Sequence, residues 1–211
     1  LRCLVGSEMC IRDRVVISVM SIQDPRERPA DKQQAADQKH QQLAHPASDF
    51  SSYLNLWQAI EDARDELSNT KFKQYCVTRF WSISRVFEWR ELKHQLVTQC
   101  KRLDWKFDAW KPIELPDINT PQPSKKSTKH DAKKPALDAR YQNLHRALLA
   151  GLISNIANKG VDGEYVAARS RKVSLFPGSS QAKRAPNWVV AGEFLETVSY
   201  THLRAHETSE N

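Results

Sequence analysis

Long apolar runs are missing from this sequence: none approaches the roughly 18 consecutive apolar residues of a membrane span, so no membrane partner is expected. Cysteine is sparse. Cys3, Cys10, Cys76 and Cys100 form no CxxC pair and no metal-like spacing, which argues against a disulfide scaffold or a zinc site and for unpaired, packed thiols in a reducing cytoplasmic setting. Residues 1–6 hold one arginine and a very short apolar stretch, a poor secretory signal. There is no GxxxxGK[ST] loop to cradle phosphates and no HExxH pair to hold a metal. His40, His45, His94, His130 and His145 are scattered and read as polar surface residues. No serine or cysteine has a base at a telling spacing, so no catalytic residue and no metal site are expected.

What is present is ordinary for a soluble chain with a core: 40% hydrophobic and 27% charged residues over a length that suits one or two small domains. The formal net charge of +7 points to acidic partners, nucleic acid first, although charge bears on association and not on fold. The two ends differ from the rest. Residues 1–14 (LRCLVGSEMCIRDR) and 198–211 (VSYTHLRAHETSEN) resemble translated adapter tails and are expected to be non-native. Their charges cancel: three arginines stand against Glu8 and Asp13, and Arg204 against Glu207 and Glu210.

Between these flanks the chain reads as helices, a linker and strands. The run Val15 to Met20 is too short to assign by period. A polar connection follows, in which Pro25 and Pro29 bias Asp24 and Arg28 away from helix. Residues 31–43 are rich in helix formers, with Asp31 near the N-terminus. Phe50, Tyr53, Leu54, Trp57, Ile60, Ala63 and Leu67 then recur at helical spacing behind a Ser48-Asp49 cap, with Glu61, Asp62, Asp65 and Glu66 opposite them. Two more amphipathic helices are expected over 71–82 and 84–103, making a bundle around one aromatic core, the unit placed at 15–111. Residues 112–136 form a Pro/Lys-rich linker, with Trp105, Phe107 and Trp110 available to pin its approach. A helix over 137–158 and three strand-like runs, at 164–168, 172–176 and 188–196, complete the unit at 137–197.

Several ordered blocks carry a family resemblance. The stretch Ser21-Ile22-Gln23-Asp24-Pro25-Arg26-Glu27-Arg28-Pro29 resembles the opening of the helicase-associated region of HrpA-type bacterial DEAH-box RNA helicases. Ser48-Asp49-Phe50 with Leu54-Asn55-Leu56-Trp57, and Cys76, Arg85, Glu88, Trp89, Gln95 and Leu96, are similar to its helices. The family often has an aromatic-Leu-Asn-Tyr run where this chain has Phe80-Trp81-Ser82-Ile83, so no role of that Asn is carried over. Leu144 to Leu152, then Phe176-Pro177-Gly178-Ser179, Pro186-Asn187-Trp188-Val189-Val190 and Glu193-Phe194-Leu195-Glu196-Thr197, resemble the entry helix and first strands of the family's OB-fold.

The resemblance implies a mainly α chain with a β portion: a ratchet-like helical bundle followed by an OB-fold. With about three strands before residue 198, where closure needs about five, the barrel is expected to be incomplete, with an unpaired edge. It further implies a C-terminal accessory fragment of an ATP-dependent 3′-5′ helicase that guides single-stranded RNA. ATP and Mg²⁺ would act on RecA-like ATPase domains outside this chain, and the fragment itself would be inactive. Arg79, Arg85, Arg90 and Lys93, interleaved with Phe80, Trp81 and Trp89, are RNA-binding candidates, against the plainer reading of core rings beside a solvated face. Arg169, Arg171, Lys172, Lys183 and Arg184 are candidates at strand ends and turns, where charge reversal of Lys183 and Arg184 should weaken RNA binding. Arg26 and Arg28 are expected to pair with carboxylates in the parent helicase or dock its other domains. The alternative is a stand-alone basic RNA-binding or adaptor module without enzymatic activity.

Overall fold

A computed structural model describes residues 11–105, 139–160, 163–182, 184–196 and 201–204. Six helices come first: α1 (Ile11–Met20), α2 (Gln33–Gln41), α3 (Asp49–Glu66), α4 (Asn69–Thr78), α5 (Ile83–Arg102) and α6 (Ala139–Gly151). The short apolar run that periodicity could not assign is the hub of the bundle. Val15, Val16 and Val19 are fully buried, and α1 packs against α3, α5 and α6. Trp89 of α5 locks this arrangement, its indole N–H reaching the Val15 carbonyl and Ser18 Oγ, each at 3.0 Å. Its ring meets Trp57 edge-on, with centroids 4.9 Å apart. The expected aromatic core from α3, α4 and α5 is present, and Leu144 and Leu148 bring α6 into it as well.

The helix ends follow their local chemistry. Ser48 caps α3, its Oγ accepting the Ser51 N–H at 3.3 Å. Asp31 does not sit in the first turn of α2. The Lys32 N–H bonds to the Pro29 carbonyl at 2.9 Å, and that turn holds Asp31 outside a helix that begins at Gln33. The helix α1 starts at Ile11, inside the first flank, with Asp13 and Arg14 buried. Cys76 and Cys100 are free and buried. The linker at 112–136 lies outside the described residues, as do Phe107 and Trp110. Among the described residues no helix is long and apolar enough to cross a membrane.

Among the described residues the β portion holds six strands: β1 (Ile156–Lys159), β2 (Tyr165–Ala167), β3 (Arg171–Leu175), β4 (Trp188–Val190), β5 (Glu193–Glu196) and β6 (Thr201–Arg204). Their order is β4-β1-β2-β3-β6-β5, antiparallel except for β3 with β6. Among the described residues the sheet is open, with β4 and β5 as its edges. One face buries Ala157, Tyr165, Ala167, Val173 and Ala191, backed by Leu175, Val189 and Phe194.

Three expectations are corrected here. The helix expected to run to residue 158 ends at Gly151, and Ile156–Lys159 is a strand. The stripe through Leu152 and Ile156 keeps helical period, but Asn155 ties the chain to the sheet: its carbonyl accepts the Ala191 N–H at 3.0 Å, and its Nδ2 donates to the Ala191 carbonyl at 3.2 Å. That same junction splits the expected single run at 188–196 into β4 and β5, with Ala191 buried between them. The expectation of three strands is therefore too low. Residues 201–204 also pair as a strand, within the second flank.

Candidate nucleic-acid interface

The polar segment at 21–29 is an internal strap. The buried Asp24 carboxylate accepts the Arg26 backbone N–H at 2.8 Å, the Arg26 guanidinium (Nη2 at 2.7 Å) and the Tyr53 hydroxyl at 2.7 Å. Arg26 also donates to the Tyr53 oxygen at 2.8 Å and lies over its ring. The strap is sewn to the corner between α4 and α5: Glu27 N–H meets the Phe80 carbonyl and Ser82 N–H meets the Pro25 carbonyl, both at 2.7 Å. His40 Nε2 bonds to that same Phe80 carbonyl at 3.3 Å, so Nε2 carries the hydrogen. Burial, aided by the Arg26 charge, pushes the His40 pKa down to about 4. Arg28 forks onto Asp37 at 2.7 and 2.9 Å. The carboxylate partners of Arg26 and Arg28 thus lie in this chain.

The helical candidates do not assemble into a nucleic-acid surface. Trp81 and Trp89 are core residues, 2% and 0% exposed, and offer no face for a base. Arg79 is buried over the Tyr75 ring, 4.4 Å from its centroid. Arg85 donates to the Asp24 carbonyl at 2.9 Å, and Arg90 pairs with Glu61. Lys93 stands over Trp57 at 4.9 Å, where burial lowers its pKa against the opposing pull of Glu61. The plainer alternative fits these four: their cations brace the bundle.

Where helices meet sheet, His45 and His145 prove to be structural and not surface residues, whereas His94 is exposed and His130 lies outside the described residues. His145 Nδ1 donates to the Tyr141 carbonyl at 2.7 Å, since a carbonyl only accepts. Its bare Nε2 therefore accepts the Ser48 hydroxyl at 2.6 Å. Spacing could not reveal this Ser–His pair, because its members lie 97 positions apart. It is a docking contact, since Ser48 is buried and its oxygen already caps α3. Tyr141 stacks between His145 and His45, and burial lowers both histidine pKa values. Nearby, the Phe176-Pro177-Gly178-Ser179 block turns onto α3. The Asp49 carboxylate accepts the Ser179 hydroxyl at 2.5 Å and the Ser180 N–H at 2.9 Å. Arg184 donates to the Pro46 carbonyl at 2.8 Å, so it too serves this junction. Lys183 lies outside the described residues.

The sheet candidates are the ones that face solvent. Arg169 and Ser170, in the turn joining β2 to β3, both have left-handed backbone (φ 60° and 57°), an uncommon pair for residues with side chains. Arg169 is exposed there. Lys172 is exposed beside Glu164 at 3.5 Å, and Arg171 lies over the Phe194 ring at 5.5 Å. On β4, three strands away from β3, is a feature that residue types alone did not single out. Trp188 on β4 is 66% exposed, unlike the buried Trp57, Trp81 and Trp89.

Comparison with known proteins agrees with this architecture. Residues 144–209 match the family described as the oligonucleotide/oligosaccharide-binding (OB)-fold. The chain is 37% identical over 190 residues to the ATP-dependent RNA helicase HrpA of Escherichia coli (strain K12), covering 89% of this chain and 12% of that protein. The chain is HrpA-like. A second relative, the ATP-dependent RNA helicase HrpA homolog of Haemophilus influenzae (strain ATCC 51907 / DSM 11121 / KW20 / Rd), is 35% identical over 184 residues, or 87% of this chain and again 12% of the relative. The HrpA-like chain therefore spans about one-eighth of the length of these curated relatives. Its helical bundle and open OB-type sheet are the parts that correspond.

Proposed function

We propose that this chain is an accessory segment of an ATP-dependent RNA helicase, contributing single-stranded RNA binding and strand guidance while ATP and Mg²⁺ act on RecA-like ATPase domains elsewhere in a cytoplasmic polypeptide. The observation that carries this reading is the solvent-facing basic end of the OB-type sheet, at Arg169 and Lys172 with Arg171 beside them, in a chain of net charge +7. Phosphates are recognised by such cations without regard to sequence, and each contact releases counterions. The helical bundle, in which Arg26, Arg79, Arg85, Arg90 and Lys93 are engaged internally, supplies a rigid mount. Its bond from Asp49 to Ser179 and Ser180 ties the sheet to α3.

The test is fluorescence anisotropy of a labelled single-stranded oligouridine with the full chain across a salt series. Replacing Arg169 and Lys172 together by Gln should flatten the slope of log K against log salt by about one to two. An unchanged slope overturns the assignment. The chain alone should show no ATP hydrolysis.

A further inference from the structure

The joint between helices and sheet carries two histidines whose proton positions are fixed by their partners. His45 Nδ1 accepts the Ala47 N–H at 3.2 Å, so that nitrogen is bare and the ring is neutral. The His45 backbone is itself pinned, its N–H donating to Ser52 Oγ at 2.8 Å. His145 donates from Nδ1 to the Tyr141 carbonyl and accepts the Ser48 hydroxyl at Nε2, which makes it neutral too. The Tyr141 ring lies between them, its centroid 3.9 Å from that of His145 and 5.6 Å from that of His45. Its hydroxyl reaches the Ala47 carbonyl at 3.3 Å. The elements around this stack supply little to welcome a proton. From α3 come Ser48, the Phe50 ring edge-on to His145, and Asp49, whose carboxylate is bonded to Ser179 and Ser180. From α6 comes the exposed Arg146 beside His145, and the turn before β4 brings Arg184, bound to the Pro46 carbonyl. Burial, then His145 and Arg184, oppose a charge on His45, and burial opposes one on His145 against the pull of the Tyr141 carbonyl.

We propose that this stack is a proton-operated latch: neutral, it clamps the first turns of α6 to the segment 45–48 that leads into α3, and protonation of His45 and His145 releases them. A proton on His45 Nδ1 removes the acceptor of the Ala47 N–H and sets two donors against each other. A proton on His145 Nε2 reverses the bond to Ser48, and the new charge then faces the positive N-terminal end of α3, which Ser48 caps. The Tyr141 ring can stabilise one imidazolium on its face, but two on opposite sides of it repel each other beside Arg184. Below the usual histidine value of 6.5 the open joint takes up protons that the closed joint refuses, so the latch weakens as pH falls. Leu144 and Leu148 keep the rest of α6 in the core, so the opening is local. The latch stands apart from the RNA-binding reading and holds with or without it.

The experiment follows amide exchange by NMR on the full chain at about pH 7.5 and about pH 5, with each rate corrected for its intrinsic pH dependence. Protection at Ala47 and across 143–147 should fall at the lower pH, by about tenfold for each pH unit by which the joint holds a ring's pKa down. Amides at the centre of α5 should keep theirs. The double variant His45→Asn with His145→Gln keeps an acceptor at each position and carries no titrating ring, so the fall should vanish in it. The same fall in the variant overturns the latch, because other groups then drive it. A loss in α5 equal to that at the joint also overturns it, since the chain is then unfolding as a whole. Should the double variant fail to fold, the wild type decides. The NMR titration of the two imidazoles should share its midpoint with the loss of protection, and rings that titrate with no change in exchange overturn the proposal.

Discussion

The helical bundle and the OB-type sheet use the same residue types in opposite ways. In the bundle the tryptophans Trp57, Trp81 and Trp89 are core, and Arg26, Arg79, Arg85 and Arg90 are engaged by carboxylates, carbonyls or rings of the same chain. In the sheet the core is built from small residues such as Ala157, Ala167 and Ala191 around Tyr165 and Val173, while Trp188, Arg169 and Lys172 stay in solvent. A mixture of rings and cations is therefore no sign of a binding surface by itself. The difference lies in whether packing leaves the rings and charges accessible.

The sharpest way to break this contrast is to truncate one tryptophan on each side. Trp89→Ala removes a fully buried ring and its hydrogen bonds to α1, and should cost about 3–5 kcal/mol. Trp188→Ala should stay within about 0.5 kcal/mol, as for an exposed position. Urea denaturation of the two variants measures both. Comparable losses would mean that Trp188 is a structural residue.

A smaller effect separates the two parts by pH. His40 is held neutral in the bundle, its pKa lowered from 6.5 to about 4. Below pH 6.5 the unfolded chain binds a proton that the folded chain refuses until about pH 4, so stability falls as pH drops through that window. His45 and His145 shift in the same direction. The loss from His40 should be on the order of 1–3 kcal/mol, and His40→Gln should flatten the pH dependence of the urea midpoint. A profile equally steep in the variant would assign the effect to other groups.

The smallest expected effect sharpens how the two parts are joined. Asp49→Ala removes the acceptor for Ser179 and Ser180, at about 1–2 kcal/mol. Hydrogen exchange should show faster amides around residues 176–182 with those of α5 unchanged. Uniform acceleration across both parts would show that they unfold as one unit.

Much of this was legible in the sequence. The α3 stripe from Phe50 to Leu67 and its Ser48 cap were readable because helical period and capping are local. So was the OB-type portion, through ordered blocks such as Pro186-Asn187-Trp188. The helix expected over 152–158 failed because a periodic stripe there was overruled by the Asn155–Ala191 junction, 36 positions away. Arg26 and Arg28 were recognised as carboxylate-seeking. Their partners Asp24 and Asp37 could not be chosen from spacing, since many acidic residues were available. The pairing of Ser48 with His145 and the exposure of Trp188 left no local signal at all.

By itself, then, the sequence determined the helical units, their shared aromatic core, a basic chain and its HrpA-like character, because these rest on period, composition and ordered motifs. Only the tertiary structure decided which tryptophans are buried, which cations are already spent, and which side chains the sheet leaves outside its core. Those outcomes depend on strand register and on packing between residues far apart in the chain. Neither is encoded in any short window.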